Sequence, residues 1–250
     1  MLILLPPSET KRPGGEGAPW DASRLAFSEL TPIRESVIDA LVQLSDDPDA
    51  AAKVLKLGPK QRGEIETNRS LRTSPTMPAI DRYTGVLFDA LDASSLDSSA
   101  RRWLGDHVVI HSAPFGLVGA LDPIPSYRLG AGISLPGLAS QRRLWAGPVA
   151  AALARDTRGS VLDLRSEAYV ALGAAPVGRS AYVRVLTRAP DGQTRALNHF
   201  NKAAKGRLTR ALAESSADLA DTAQFVRWAS DAGFETAPDG DVMTLILPPR

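Results

Sequence analysis

Cysteine is absent from this sequence and histidine is rare. The 250 residues contain no cysteine and three histidines. Without thiols there can be no disulfide bond, no thiolate nucleophile and no iron–sulfur ligation, so we expect no disulfide-linked partner. His107 and His111 flank a strand-like apolar run at residues 108–110, so they would not face one metal ion together. The sequence therefore predicts neither a metal site nor a bound cofactor.

Long hydrophobic runs are also missing. The apolar run at the N-terminus covers only residues 2–5 and ends at Pro6, which is far too short for a signal peptide or a membrane span. The formal net charge is +1 at pH 7, so no overall field would attract nucleic acid, and local basic patches become the question. We therefore expect a cytoplasmic protein with no membrane partner.

The hydrophobic pattern predicts one α/β domain of mixed α+β character over residues 1–250. Strand-like runs alternate with stretches of helical periodicity, and 44% of the residues are hydrophobic, which is enough for a large core. We expect a mixed central sheet with flanking helices, a helical subdomain over residues 31–105, and a long irregular segment over residues 113–132. The predicted strands lie at 2–5, 108–112, 160–164, 182–187, 194–200 and 242–247, with a hairpin turn at Asp191 and Gly192.

A basic segment lies near residue 200. Five basic side chains and no acidic one occur from Arg195 to Arg210, and Lys202, Lys205 and Arg207 fall at the start of a predicted helix over residues 202–214. A helix N-terminus carries partial positive charge and free N–H groups, so anions bind there readily. The spacing is compatible with an anion site and equally with a solvated basic face.

A second basic stretch covers residues 53–72. It contains six basic side chains, including Lys60 and Arg62, and two glutamates. Its Gly58-Pro59-Lys60 turn resembles the hairpin of helix-hairpin-helix DNA-binding elements, in which backbone N–H groups and a lysine contact a phosphate. Gly-Pro after a helix is also an ordinary signal for the end of that helix. Both interpretations remain open at this point.

The polar, glycine-rich loop after the first predicted strand contains Lys11. Loops at the carboxyl ends of strands in α/β sheets are frequent ligand-binding sites. The spacing of a phosphate-binding P-loop is absent, and a plain surface turn is the alternative.

Five motifs, taken in order, resemble the YaaA family of peroxide-stress proteins. They are LILLPPSETK at residues 2–11, RYTGVLF at 82–88, HSAPFGLVGALDPIPSYRLGAG at 111–132, DLRSEAY at 163–169 and HFNKAAKG at 199–206. The resemblance implies a cytoplasmic protein that limits oxidative damage by lowering free iron. It also implies an unusual mixed α/β fold with a basic cleft and a helix-hairpin-helix-like element that bind DNA.

The resemblance places the helix-hairpin-helix-like element on residues 54–71. It also implies that the cleft is lined by basic side chains, namely Lys11, Arg128, Lys202 and Lys205. This chain departs from the family pattern at Ala168, where the family has an acidic residue before its tyrosine, and Glu167 stands one place earlier.

Two hypotheses of different classes follow. In the first, the protein is a DNA-binding stress protein whose phosphate contacts come from basic side chains: Lys53, Lys60, Arg62, Lys202, Lys205 and Arg207. In the second, it is an enzyme that acts on a phosphate-bearing or nucleotide-like small molecule.

The pocket of such an enzyme would be lined by five side chains, namely Lys11, Tyr83, Arg128, Glu167 and Lys202. Glu167 would act as acid or base, and Tyr83 and Ser166 would orient the substrate. A closed pocket favours the enzyme, and an open groove favours the DNA-binding protein.

Overall fold

A computed structural model describes residues 1–188, 194–195 and 198–248. Within these ranges the α-helices are α1 (Thr31–Leu44), α2 (Pro48–Val54), α3 (Gly63–Arg69), α4 (Ala79–Arg82), α5 (Val86–Leu91), α6 (Ser98–His107), α7 (Gln141–Arg155), α8 (Glu167–Val170), α9 (Asn198–Glu214) and α10 (Thr222–Asp231). The strands are β1 (Leu2–Leu5), β2 (Gly17–Pro19), β3 (Pro75–Pro78), β4 (Val108–Ser112), β5 (Gly116–Gly119), β6 (Pro123–Ile124), β7 (Val161–Asp163), β8 (Ser180–Arg188), β9 (Thr194–Arg195), β10 (Glu235–Asp239) and β11 (Val242–Leu247). Short 3-10 turns occur at Ala22–Arg24, Ser28–Leu30, Pro59–Gln61 and Ala93–Ser95.

A mixed sheet forms the centre of the described structure. Its strands follow the order β10-β11-β8-β7-β1-β4-β5, and β9 pairs with β8. The five neighbouring strands β11, β8, β7, β1 and β4 run parallel to one another. Strand β5 pairs antiparallel with β4, β9 with β8, and β10 with β11. All four residues of β1 are buried, as expected for a central parallel strand that is covered on both faces. The carboxyl ends of the parallel strands therefore meet at one edge of the sheet, where open α/β sheets bind ligands.

Side-chain caps define where several helices begin. Asp47, Asp97 and Asp221 each accept hydrogen bonds from backbone N–H groups in the first turns of α2, α6 and α10. Each cap satisfies N–H groups that have no partner inside the helix. The apolar faces of the helices then join the sheet in one hydrophobic core. Strands β2, β3 and β6 form a small second sheet beside it.

The predicted fold class is confirmed, and several elements have the predicted bounds. Strands β1, β4 and β11 begin and end where the apolar runs do. The predicted strand over residues 194–200 is wrong in its second half, because α9 already begins at Asn198. The predicted hairpin turn at Asp191 and Gly192 lies outside the described residues, although β8 and β9 pair antiparallel.

The expectation of an irregular segment over residues 113–132 is wrong in part, because two short strands occur in it, although residues 125–132 form no helix or strand. Strand β5 pairs antiparallel with β4, and β6 pairs with β3. Apolar residues and glycines alternate too weakly in this segment to reveal two short strands that depend on distant partners. The helical subdomain over residues 31–105 stays a prediction; that range contains α1 to α6 together with β3. Nowhere in the described ranges is a helix both long and apolar enough to cross a membrane.

Candidate anion-binding site

Two adjacent cavities open at the carboxyl edge of the parallel strands. The first cavity, about 470 Å³, is lined by the loop after β1, by the segment from Arg128 to Ile133 and by Tyr169. The second cavity, about 670 Å³, is lined by β8, by the residues around the start of α8 and by one face of α9. Ala168 lies between the cavities and lines both. Both volumes fall in the range of small-molecule sites.

The loop after β1 is held in place by pairing with the segment before α5. Lys11 forms an antiparallel bridge with Tyr83, and the Thr84 N–H donates to the Thr10 carbonyl at 3.1 Å. Gly85 has a φ of 94°, and a Cβ at this position would lie 3.2 Å from Thr10 Oγ1. Glycine therefore permits both the backbone conformation and the close approach that fix Lys11 in the cavity wall.

The Lys11 amine lies among neutral groups. Its Nζ donates to the Ser8 carbonyl at 3.0 Å and to the Glu9 carbonyl at 3.3 Å. It lies 4.0 Å from the centre of the Tyr127 ring and 5.5 Å from that of Tyr83. In the described part of the chain no carboxylate oxygen comes within 4.0 Å of it. The aromatic faces and carbonyl dipoles are thus its nearest partners.

Burial lowers the pKa of Lys11 to about 7. Desolvation is the largest cause, because the charged amine loses contact with water. Among the charged neighbours Glu64 has the largest effect and opposes the shift, as Glu9 does, whereas Arg128 and Arg82 lower the pKa further. At neutral pH, Lys11 is therefore divided between its charged and neutral forms.

A buried tyrosine pair lies behind Lys11. The hydroxyl of Tyr127 accepts a hydrogen bond from Ser112 at 3.0 Å and shares one with the hydroxyl of Tyr83 at 2.8 Å. Burial raises the pKa of Tyr83 to about 12 and that of Tyr127 well above its usual value. Both phenols are therefore protonated at neutral pH. They act as a fixed hydrogen-bonded platform under the amine.

The second cation of the first cavity is Arg128. Buried Asn68 on α3 holds its backbone, since the Asn68 side chain accepts from the Arg128 N–H at 2.7 Å and donates to the Arg128 carbonyl at 2.9 Å. The guanidinium of Arg128 contacts Glu9 at 3.3 Å, and the Glu9 side chain is 81% exposed. A carboxylate this exposed contributes little as a permanent partner and can be displaced by a ligand anion.

A buried charged cluster lies between the two cavities. The guanidinium of Arg165 binds both oxygens of Asp163, at 2.9 and 2.6 Å, and donates to His111 Nδ1 at 2.9 Å. All three side chains are buried. Because Nδ1 accepts, the proton of the neutral ring is on Nε2, and burial and Arg165 keep the pKa of His111 well below its usual value. The His111 ring also contacts the edge of Tyr169, which lines the first cavity.

Lys205 occupies the second cavity. Its Nζ donates to the Leu164 carbonyl at 2.9 Å and lies 5.5 Å from the centre of the Tyr182 ring. Burial lowers the pKa of Lys205 to about 8, and the charge of Asp163 opposes that shift. Gly206 makes this placement possible, because a Cβ there would lie 2.1 Å from the Leu87 carbonyl. Helices α5 and α9 therefore pack with their backbones in contact.

The structure divides the pocket expected from the sequence between the two cavities. Lys11 and Arg128 line the first cavity, whereas Glu167 and Lys202 line the second, together with Ser166. Tyr83 borders neither cavity, since its ring is packed beneath Lys11. The expectation of one pocket containing all these side chains is therefore wrong in its geometry. The two hypothetical acid–base and orienting groups, Glu167 and Ser166, lie on the far side of Ala168 from Lys11.

The basic segment near residue 200 also differs from the sequence prediction. Because α9 begins at Asn198, Lys202 and Lys205 lie beyond its first turn and cannot use the free N–H groups at its start. Arg207 is exposed and lines neither cavity; it lies roughly 200° around the helix axis from Lys205. The basic residues of α9 therefore do not form one face.

The expected helix-hairpin-helix-like element, at residues 54–71, covers the last residue of α2, the 3-10 turn at Pro59–Gln61 and α3. The N–H of Gly58, which would face a phosphate in such a hairpin, donates instead to the Gln61 side chain at 3.1 Å. Lys60 is exposed, and Arg62 is paired with Asp49 at 3.0 Å. Neither residue before Lys60 therefore offers a backbone N–H to a phosphate: that of Gly58 is already hydrogen-bonded to Gln61, and Pro59 has no N–H.

The sequence analysis missed three buried polar residues beside the cavities, namely Asp163, Arg165 and His111. Asp163 ends β7 and His111 lies near the end of β4, so both positions follow from the rule that site residues gather at strand carboxyl ends. Nothing in the sequence pattern indicates that Arg165 turns back into the core to pair with Asp163.

Comparison with known proteins agrees with the motif resemblance. Residues 1–239 match the family model described as peroxide stress protein YaaA. The chain belongs to the YaaA family. A UPF0246 protein of Corynebacterium glutamicum is 42% identical over 254 residues, which cover 99% of this chain and 100% of the relative. A UPF0246 protein of Streptomyces coelicolor is 42% identical over 241 residues, covering 94% and 91% of the two chains. The family expected from the motifs is thereby confirmed.

Proposed function

We propose that this YaaA-family protein acts in the cytoplasmic response to peroxide by binding a small phosphate-bearing molecule in the first cavity. The observation that carries the proposal is the Lys11 amine. It lies in the wall of a cavity of about 470 Å³, beside Arg128, without a carboxylate partner within 4.0 Å among the described residues. A phosphate group would supply the missing negative charge.

The electrostatic argument concerns Lys11 and Arg128, two of the three cationic side chains that line the cavity. Each positive charge disfavours the other, since Arg128 lowers the pKa of Lys11. A phosphate ester bound between them would interact favourably with both, and Arg128 offers the planar donor pair that suits phosphate oxygens. Exposed Glu9 would leave Arg128 when the phosphate binds. The phosphate would therefore raise the pKa of Lys11, and binding would take up protons.

Calorimetry with glycerol 3-phosphate tests this proposal. We expect saturable binding at pH 7 with uptake of up to about half a proton, because Lys11 is about half protonated there. Titrations in buffers of different ionisation enthalpy measure this uptake. Lys11→Met should abolish proton uptake and weaken binding at least tenfold, whereas Lys53→Met on exposed α2 serves as the matched control. Equal binding by both variants would refute the assignment.

DNA binding is the second candidate function, and one observation favours it. Lys53, Lys56 and Lys60 are exposed on the segment from α2 to the following 3-10 turn, and Lys56 borders the first cavity. A DNA phosphate could therefore enter the cavity while its neighbours contact these lysines. Affinity for duplex DNA should then fall linearly with salt on logarithmic axes, and Lys60→Ala should reduce the slope by roughly one unit. An unchanged slope would exclude this contact.

Lower free iron is the cellular outcome that the family resemblance leads us to propose. Complementation of a deletion strain with wild type, Lys11→Met and Lys53→Met would relate this outcome to the first cavity. We expect the Lys11→Met strain to hold as much chelatable iron after peroxide as the deletion strain, and the Lys53→Met strain to match wild type. If the Lys11→Met strain instead had the low chelatable iron of wild type, the first cavity would not be responsible for the effect on iron.

A further inference from the structure

The Lys11 amine has a defined arrangement of acceptors. The carbonyls of Ser8 and Glu9 lie at 3.0 and 3.3 Å from Nζ. A neutral amine has two hydrogens and one lone pair, so these two carbonyls can accept both hydrogens. The Tyr127 ring covers another side at 4.0 Å, and its π face disfavours a lone pair. The remaining side of the amine is the cavity.

The charge state of Lys11 suits a nucleophile. Its pKa of about 7 leaves about half of the molecules with a neutral amine at pH 7, against roughly 1 in 3,000 for a lysine in water. Desolvated lysines of this kind attack carbonyl carbons to form Schiff bases. The charged groups that act on Lys11 are Glu9 from its own loop, Arg82 from α4, Arg128 from the cavity wall and Glu64 from α3. The phenols around it remain protonated at neutral pH.

We infer that Lys11 forms a reversible imine with the carbonyl group of a small phosphate-bearing aldehyde or ketone, while Arg128 holds the phosphate. This inference rests on the proposed function and adds the chemical class of the ligand. Lys11 and Arg128 line the same cavity, so one short ligand can reach both with its two ends. Because the phosphate raises the pKa of Lys11 as it binds, the amine attacks from the neutral fraction that remains, and protonation of the imine restores a positive charge opposite the phosphate.

The covalent step needs no oxidant or reductant. The Nζ lone pair forms a bond to the carbonyl carbon, and the π electrons of the C=O bond move to its oxygen. One amine proton passes to that oxygen, which gives a neutral carbinolamine. The second amine proton leaves with the hydroxyl group as water, and the C=N bond forms. The ligand and the side chain together lose one water molecule.

The other lysines lack this combination of features. Lys205 is also buried, but its pKa falls only to about 8, and its amine contacts one carbonyl where the Lys11 amine contacts two. Lys53, Lys56, Lys60 and Lys202 are exposed to solvent, and Lys56 also borders the first cavity. A reaction that follows exposure alone would label these four before Lys11. A reaction that depends on the cavity would label Lys11 first.

Reductive trapping tests the inference. The full-length protein is incubated at pH 7 with glyceraldehyde 3-phosphate and cyanoborohydride, and the modified lysines are located by peptide mass spectrometry. We expect Lys11 to be modified at least tenfold faster than any exposed lysine. Phosphate-free glyceraldehyde should lose that preference, and so should glyceraldehyde 3-phosphate with the Arg128→Gln variant, which keeps the Lys11 amine. Modification that follows exposure, or that is as selective without the phosphate, would overturn the inference.

A comparison ligand shows whether a negative result refutes only the imine or also the proposed phosphate site. Glycerol 3-phosphate has the phosphate but no carbonyl group. If it binds and protects Lys11 from modification, both proposals hold. If it binds but Lys11 is not selectively trapped, the phosphate site stands and the imine is wrong. If it does not bind and trapping is unselective, both are wrong.

Discussion

The two cavities each contain a buried lysine, but the charges around the two amines differ. Lys205 in the second cavity lies near enough to buried Asp163 for that carboxylate to favour its charged form, and its pKa falls to about 8. Lys11 in the first cavity is acted on by charges of both signs, since Glu64 and Glu9 raise its pKa and Arg128 and Arg82 lower it, and its pKa falls to about 7. Desolvation is the largest cause of the lowered pKa in both cavities, and positively charged neighbours lower it further at Lys11 alone.

The difference indicates where a bound anion would matter most. The second cavity has a negative charge of its own in Asp163, although that charge is shared with Arg165. Among the residues that line the first cavity, Glu9 alone has a carboxylate, and its side chain is exposed; Glu64 acts on Lys11 from outside the lining. A phosphate would therefore change the charge balance more in the first cavity, which is why we place the ligand there.

The largest expected effect comes from the cluster between the cavities. Arg165→Met should lower the free energy of unfolding by about 3–5 kcal/mol, because it leaves the Asp163 carboxylate buried without its partner. Urea denaturation measures the loss. Arg62→Met is the control, since both members of its ion pair with Asp49 are exposed, and it should change stability by less than about 1 kcal/mol. Similar losses in the two variants would contradict the role of burial.

The next effect separates the two lysines by pH. The folded pKa of Lys11 is below its unfolded value, so the unfolded chain binds more protons between pH 7 and about 10.5, and wild-type stability rises with pH across that window. Lys11→Met lacks this dependence. Relative to the variant, wild type should gain about 2–4 kcal/mol between pH 7 and 10. Lys205→Met should reveal a smaller gain that begins near pH 8. If the free energy of unfolding depended on pH in the same way in the two variants, the two lysines would not differ in pKa as described.

A third effect concerns the backbone contact that positions Lys205. Gly206→Ala should destabilise the protein by about 1–3 kcal/mol, because its Cβ would meet the Leu87 carbonyl. Gly63→Ala is the matched control: that glycine is the first residue of α3 with nothing within 4 Å of its Cβ position, so alanine should leave stability unchanged or raise it by up to about 1 kcal/mol. Thermal denaturation compares the two. Equal shifts would show that α5 and α9 do not pack as closely as described.

The smallest effect tests whether the cavities are separate sites. Glu167 is exposed in the second cavity and lies outside the first. Glu167→Gln should leave stability within about 0.5 kcal/mol of wild type and leave glycerol 3-phosphate binding unchanged. Loss of binding in this variant would mean that the two cavities act as one site, as the sequence alone suggested.

Much of the central sheet could be predicted from the sequence. Apolar runs predicted the bounds of β1, β4 and β11. Every residue of β1 and β4 is buried, as expected for strands covered on both faces, whereas β11 alternates between half-buried and buried residues over most of its length. These elements are defined by their own residues, so local pattern is sufficient.

The arrangement of the site could not be predicted in the same way. Lys11 and Arg128 are far apart in sequence, and their meeting depends on Asn68 holding the Arg128 backbone. Helix α9 packs against α5, which is far from it in sequence, and Gly206 lies against the Leu87 carbonyl there. Long-range contacts of this kind leave no periodic signal in the sequence. The burial of the Lys11 amine against Tyr83 and Tyr127 depends on such contacts.

The Lys11 pKa can be measured directly by nuclear magnetic resonance. The chain contains six lysines, so a pH titration of protein labelled at lysine Nζ and Cε gives few signals, and Lys11→Met assigns the one of interest. We predict that the Lys11 signal titrates near pH 7 in the free protein and at higher pH when glycerol 3-phosphate is present. Titration of Lys11 near its usual value of 10.5, unaffected by the phosphate ester, would contradict the account.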